Sequence, residues 1–172
     1  NLPSMVSSVP SLTTKKSIDL FEKFGVFTKT ELESRSEIMY ETYAKTTSIE
    51  ARTMAHMAAK HYTPAIVRYM ARLGDSICKV RNACPQASTR VQEKLLSKTG
   101  RLLTQADEAL EHLRQCIDQS TRLECVRDVA NYCHDSLVPV MQALRTPIDE
   151  LELIVDKDLW PVPTYGDLMF EV

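Results

Sequence analysis

Apolar positions along residues 28–84 recur at the spacing of a helix, not of a strand. Met54, Ala58, His61 and Ala65 follow one another by four, three and four residues, and Ile66, Tyr69, Leu73, Ile77, Val80 and Cys84 continue a neighbouring stripe. The stretch predicts one very long helix, or two nearly collinear ones. Its start is marked by Thr28-Lys-Thr-Glu31, which fits a capping box, followed by Leu32, Met39 and Tyr43. Two places disturb the pattern. Lys45-Thr-Thr-Ser-Ile49 clusters hydroxyls that compete for backbone hydrogen bonds, so a bend or a short break is expected there. Pro64 removes a backbone donor and predicts a kink. Asn82-Ala-Cys-Pro85 ends the run.

The remaining chain repeats the theme. Thr13 or Thr14 caps a short helix through Phe24, with Ile18, Leu20, Phe21 and Phe24 near one face and Gly25 as its stop. Residues 90–119, capped by Ser88 or Thr89, place Leu95, Leu102, Ala109 and Cys116 seven apart, with Thr99, Ala106 and Leu113 as a second seam. A helix over 121–145 carries Val126, Ala130, Cys133, Leu137, Val140 and Leu144, with a kink expected at Pro139. Thr146 and Pro147 read as the start of a separate short helix to about 155. The pattern gives an all-α, up-and-down antiparallel helical bundle with long kinked helices and an extended C-terminal tail. Its parts are a lead-in with a short helix (1–27), the bundle (28–157) and the tail (158–172).

Composition changes this picture little. A 44% hydrophobic and 26% charged chain with a net charge of −2 has no basic footprint for nucleic acid, and no apolar run reaches membrane-spanning length. Five Cys at unpatterned spacings argue for reduced thiols and a cytoplasmic setting. The first residue, Asn1, suggests a piece of a longer chain.

Candidate chemistry is sparse. His56 and His61 stand five apart, some 140° around an ideal helix at about 100° per residue, which separates them. Cys133 and His134 are adjacent and so point to different faces, and Cys133 sits on the apolar seam. Asp107, Glu108 and Glu111, with Arg101 and Arg114, read as a solvated face. Arg52, Lys60, Arg68, Arg72, Lys79 and Arg81 form a basic rim of the same default kind. No glycine-rich phosphate loop and no metal-ligand motif occurs, so no catalytic, cofactor-binding or metal residue is assigned. The tail is different. Trp160, Pro161, Pro163, Tyr165 and Phe170 make it too apolar to stay in solvent, and a docking role is expected for them.

Several segments resemble one family. Leu2-Pro-Ser-Met-Val6, the run Leu20-Phe-Glu-Lys-Phe-Gly-Val-Phe-Thr-Lys-Thr-Glu-Leu-Glu-Ser-Arg35, Ile49-Glu-Ala-Arg-Thr-Met-Ala-His-Met-Ala58 and Thr63-Pro-Ala-Ile-Val-Arg-Tyr69 are similar to the C-terminal region of type III glutamine synthetases. So is the closing Leu159-Trp-Pro-Val-Pro-Thr-Tyr-Gly-Asp-Leu-Met-Phe-Glu-Val172. The resemblance implies a parent ligase that joins ammonia to glutamate with ATP and magnesium, through a γ-glutamyl phosphate, in large two-ring homo-oligomers. Its catalytic part would lie upstream. This chain would be a helical extension without cofactors of its own, inactive alone, whose partners are that catalytic domain and neighbouring subunits. The alternative is an independent helical adaptor that binds a protein partner through its tail or a groove.

Overall fold

Eight α-helices follow one another in a computed structural model that describes residues 4–163 and 165–170, the side chains at 165, 166 and 170 apart. They are α1 (Met5–Ser8), α2 (Lys15–Lys23), α3 (Lys29–Met57), α4 (Thr63–Ala83), α5 (Arg90–Ser120), α6 (Val126–Tyr132), α7 (Val138–Glu152) and α8 (Tyr165–Phe170). A 3-10 turn at Val9–Thr13 joins α1 to α2, and another at Lys157–Leu159 precedes α8. The described residues contain no strand, as the helical periodicities require.

Local chemistry sets the first boundaries. Thr14 caps α2 by accepting the Ser17 N–H. Gly25 follows at φ 62°, a left-handed turn natural to glycine; the Gly25 N–H reaches the Glu22 carbonyl and the Val26 N–H that of Phe21. Helix α3 opens on the expected capping box. The Thr28 N–H donates to Glu31 Oε2 at 2.7 Å, and the Glu31 N–H donates back to Thr28 Oγ1 at 3.3 Å.

Those bonds hold the Glu31 carboxyl below the ordinary glutamate value, first through the Thr28 backbone, then its hydroxyl, with a smaller part from Arg35. A depressed folded-state value means that this contribution to stability is present above the unfolded-state pKa and lost as pH falls through the folded one. An NMR carboxyl titration is expected to find Glu31 below a free glutamate. In Thr28→Ala, which keeps the backbone donor, it should move only part of the way back. An unshifted Glu31 in the parent chain would contradict the assignment.

Helix α3 runs unbroken through Lys45–Ile49, where a bend or break was open. Its hydroxyls are engaged in tertiary structure: Thr47 is buried, and Ser48 Oγ lies 4.0 Å from Cys133 Sγ. Lys45 also pairs with Glu41 at 2.6 Å, one turn earlier.

At Pro64 the helix widens. The Thr63 N–H reaches five residues back to the Ala58 carbonyl, so Ala58–Tyr62 forms a π-helical turn. Pro64 has no N–H, and in a regular α-helix its ring would clash with the carbonyl four residues earlier, which falls inside that wider turn. Pro139 stands in the same relation to a π turn at Cys133–Leu137, closed by the Val138 N–H on Cys133. The expected disturbances thus take the form of wider turns in continuous helix.

Three boundaries depart from expectation. The helix expected from 121 begins at Val126, because α5 continues to Ser120 and ends in a turn where Thr121 Oγ1 donates to the Asp118 carbonyl. Pro147 does not start a new helix; it lies inside α7, where buried Leu144, Ile148 and Leu151 hold the helix across the missing bond. The tail is extended only in part: Lys157–Leu159 forms a 3-10 turn and Tyr165–Phe170 a helix, while Pro161 and Pro163 keep the residues before them out of the α region.

The chain divides into two units, residues 1–52 with 114–139 and residues 53–113 with 140–172. In the first, Val6 and Val9 pack with Tyr40, Ala44 and Ala130, flanked by Met5, Tyr43 and Val129. In the second, Ile66, Leu102, Leu144 and Leu151 are among the most deeply buried side chains. On α5 the seam of Thr99, Leu102, Ala106, Leu113 and Cys116 is buried as read, with Leu110 taking the place expected of Ala109.

Candidate functional site

The tail begins from a turn that is itself anchored. Asp156 caps it by accepting the Asp158 N–H, and its other carboxylate oxygen receives Arg72 Nη1 at 3.0 Å. The chain so held delivers Trp160 into a buried position, where its ring lies 5.1 Å from that of Tyr62 at 37°. Burial raises the Tyr62 phenol, with Glu152 and Asp149 adding to the shift. The indole N–H of Trp160 is enclosed without a partner among the described residues. Beyond it Pro161 is half-buried and Pro163 exposed, and Lys157 pairs with Asp167 on α8. Leu168 and Met169 are exposed, while the side chains of Tyr165 and Phe170, part of the docking set read from the sequence, lie outside the described residues.

A second apolar surface lies on α2. The Phe21 ring is 5.7 Å from Phe27, and the Arg35 guanidinium sits 4.4 Å from Phe27, which fastens one edge of α2 to the start of α3. The Lys29 N–H donates to Glu22 and closes the link. No residue of α2 is buried, although its apolar and polar residues segregate cleanly. Leu20 is 52% exposed, Phe24 68% and neighbouring Val26 54%. Such a face is a surface for something to cover.

The polar candidates sort themselves differently. In the basic rim, Arg72 pairs with Asp156, Lys79 with Asp75 and Arg81 with Glu93, all at the exposed surface. Cys133 is buried in its seam with its thiol raised by that burial, and His134 turns away to Asp135 at 2.7 Å. Burial, with Cys116 close by, pushes the Tyr132 phenol up to about 12, and its hydroxyl donates to Gln119. Among the described residues no group of three or more His, Cys, Asp or Glu side chains is placed to hold a metal ion. No described helix is long and apolar enough to cross a membrane.

One arrangement escaped the spacing argument. His56 and His61, read as standing on separate faces, have ring centroids 5.8 Å apart, edge to face at 66°. The ideal 100° per residue does not hold across Ala58–Tyr62, where the π turn carries residues five apart onto one side. Pro64 was the available signal.

The fold and its surfaces define an all-α domain built to present apolar faces. Comparison with known proteins gives its lineage. Residues 1–81 match the family model of the glutamine synthetase C-terminal domain. The whole chain aligns at 28% identity with 25% of the glutamine synthetase of Butyrivibrio fibrisolvens, and 99% of it at 28% identity with 24% of the type-3 glutamine synthetase of Dictyostelium discoideum. A glutamine synthetase of Bacteroides fragilis (strain YCH46) aligns at 24% identity with 84% of the chain, over 20% of its own length. The chain is thus similar to the glutamine synthetase C-terminal domain over its first 81 residues, and to these glutamine synthetases over most or all of its length. It spans about a quarter of the length of the curated relatives it matches, at their C-terminal end.

Proposed function

We propose that this chain is the non-catalytic C-terminal part of an ATP-dependent glutamate–ammonia ligase and serves its assembly or regulation. In this reading ATP, magnesium, glutamate and ammonia bind in the upstream part of a cytoplasmic homo-oligomer that supplies glutamine and assimilates nitrogen. The chain contributes a docking module. The observation that carries the proposal is α2, an amphipathic helix with no fully buried residue, which leaves Leu20 and, at its C-cap, Phe24 exposed. Relatives with about three quarters of their length before the matched part supply a natural counterpart for such a face. The tail is the second contact: Trp160 roots it with Pro161 and Pro163 beyond, Leu168 and Met169 are exposed for a neighbouring domain or subunit, and Tyr165 and Phe170 complete the proposed docking set.

The test uses the full-length ligase. Burying one large apolar side chain contributes about 1.5–3 kcal/mol, so Leu20→Glu with Phe24→Glu is expected to weaken association at least about tenfold. Deletion of 158–172 should act in the same direction. Sedimentation velocity and turnover with ATP, glutamate, ammonia and magnesium read both. Unaltered assembly and turnover in both variants would refute the docking role, and glutamine formation by the 172-residue chain alone would refute the non-catalytic one.

A further inference from the structure

The imidazoles of His56 and His61 meet at the surface, and neither makes a hydrogen bond or ion pair with another side chain among the described residues. Their separation has a chemical meaning. An imidazole nitrogen binds zinc at about 2.0–2.1 Å and lies about 1.1 Å from its ring centre, so two rings sharing one ion have centroids at most about 6.4 Å apart. The observed 5.8 Å falls inside that limit. The geometry points to a surface bis-histidine site for a divalent transition metal, with His56 and His61 as its protein ligands and water in the remaining positions.

The π turn is what makes the pair. In an unbroken α-helix residues five apart diverge by about 140°. Here the Thr63 N–H bonds the Ala58 carbonyl, and the widened turn brings the rings edge to face. Neutral imidazole favours nickel, copper and zinc and discriminates against magnesium, which takes oxygen ligands. Arg52, one turn before His56, and Lys60, beside His61, are exposed cations that oppose a dication weakly through water. The site therefore selects by ligand softness, not by charge. A bound ion would also link the last turn of α3, at His56, to His61 inside the π turn and favour the wide turn over regular α-helix.

The experiment is calorimetric titration of the 172-residue chain with nickel chloride, repeated with zinc and magnesium chlorides, and imidazole proton NMR to identify the ligands. One nickel or zinc ion per chain and no magnesium is the expected result. His56→Ala and His61→Ala should each weaken nickel at least about tenfold, as loss of one ligand of a chelate requires, and His134→Ala should leave it unchanged. Both targets are exposed, so neither substitution touches the core; the helical circular dichroism should stay as it was. Absence of nickel binding overturns the proposal. So does magnesium binding of equal strength, or single variants that each lose one of two independent weak sites and leave the other at full affinity.

Discussion

Leu137→Ala is expected to lower the stability of the chain by about 3 kcal/mol, within the range of about 2.7–5 kcal/mol for truncating a fully buried leucine. Leu137 is 0% exposed and closes the π turn ahead of Pro139, next to fully buried Cys133 and Ala130 in sequence register. The backbone there is fixed at both ends, by the Val138 N–H on the Cys133 carbonyl and by the proline, so it collapses poorly into a cavity. In a chain of this size such a loss lowers the melting temperature by about 6–12 °C. Urea unfolding should show the midpoint falling with its slope kept. A loss below about 1 kcal/mol would mean that the wide turn relaxes into the space and is not held at both ends.

Trp160 carries the second large effect, and two substitutions separate its parts. Trp160→Ala removes a ring buried against Tyr62 and is expected to cost about 3–5 kcal/mol. Trp160→Phe keeps an aromatic ring on Tyr62 but deletes the indole N–H, which is enclosed without an acceptor among the described residues. Since an unsatisfied buried donor is itself unfavourable by about 1–3 kcal/mol, the phenylalanine variant should lie within about 1 kcal/mol of the parent. Chemical denaturation of the two variants measures this directly. Trp160 is also the chain's single tryptophan, so its native emission should be blue-shifted and move red as the tail unfolds. A red-shifted native spectrum would contradict the docked position.

Periodicity revealed the helices where large side chains mark them and failed where small ones do. On α5 the leucines make the buried seam legible. On α3 the buried face runs Leu32, Ser36, Tyr40, Ala44, Thr47, Ala51 and Ala55. Four of these are alanine or serine-like in size, so the sequence pointed to exposed Met39 and half-buried Tyr43 instead of their neighbours. Small side chains make up most of that face, and single-sequence hydrophobicity does not record their burial. Helix ends were legible where a cap exists, as at Thr14, Thr28 and Gly25. They were not legible at Cys125, which starts α6 with no side-chain cap. The tail's apolar character was plain from its residues. The His56–His61 contact was hidden because an ideal turn angle was applied across Pro64.

The same π turn governs how this helix tolerates changes in length. Ala44, Ala51, Ala58 and Ala65 are buried at intervals of seven, and Ile66, beside Ala65, opens a second buried series that continues seven on at Leu73. The π turn holds one residue more than an α-helical turn, between Ala58 and Tyr62, and the buried face broadens from Ala65 onto Ile66 just beyond it. Elsewhere in the rod a one-residue deletion would swing every later buried side chain by about 100° toward water. Within Ala58–Tyr62 a one-residue deletion would instead return the wide turn to α-helical spacing, so this is the place where the helix is expected to tolerate a shortening best.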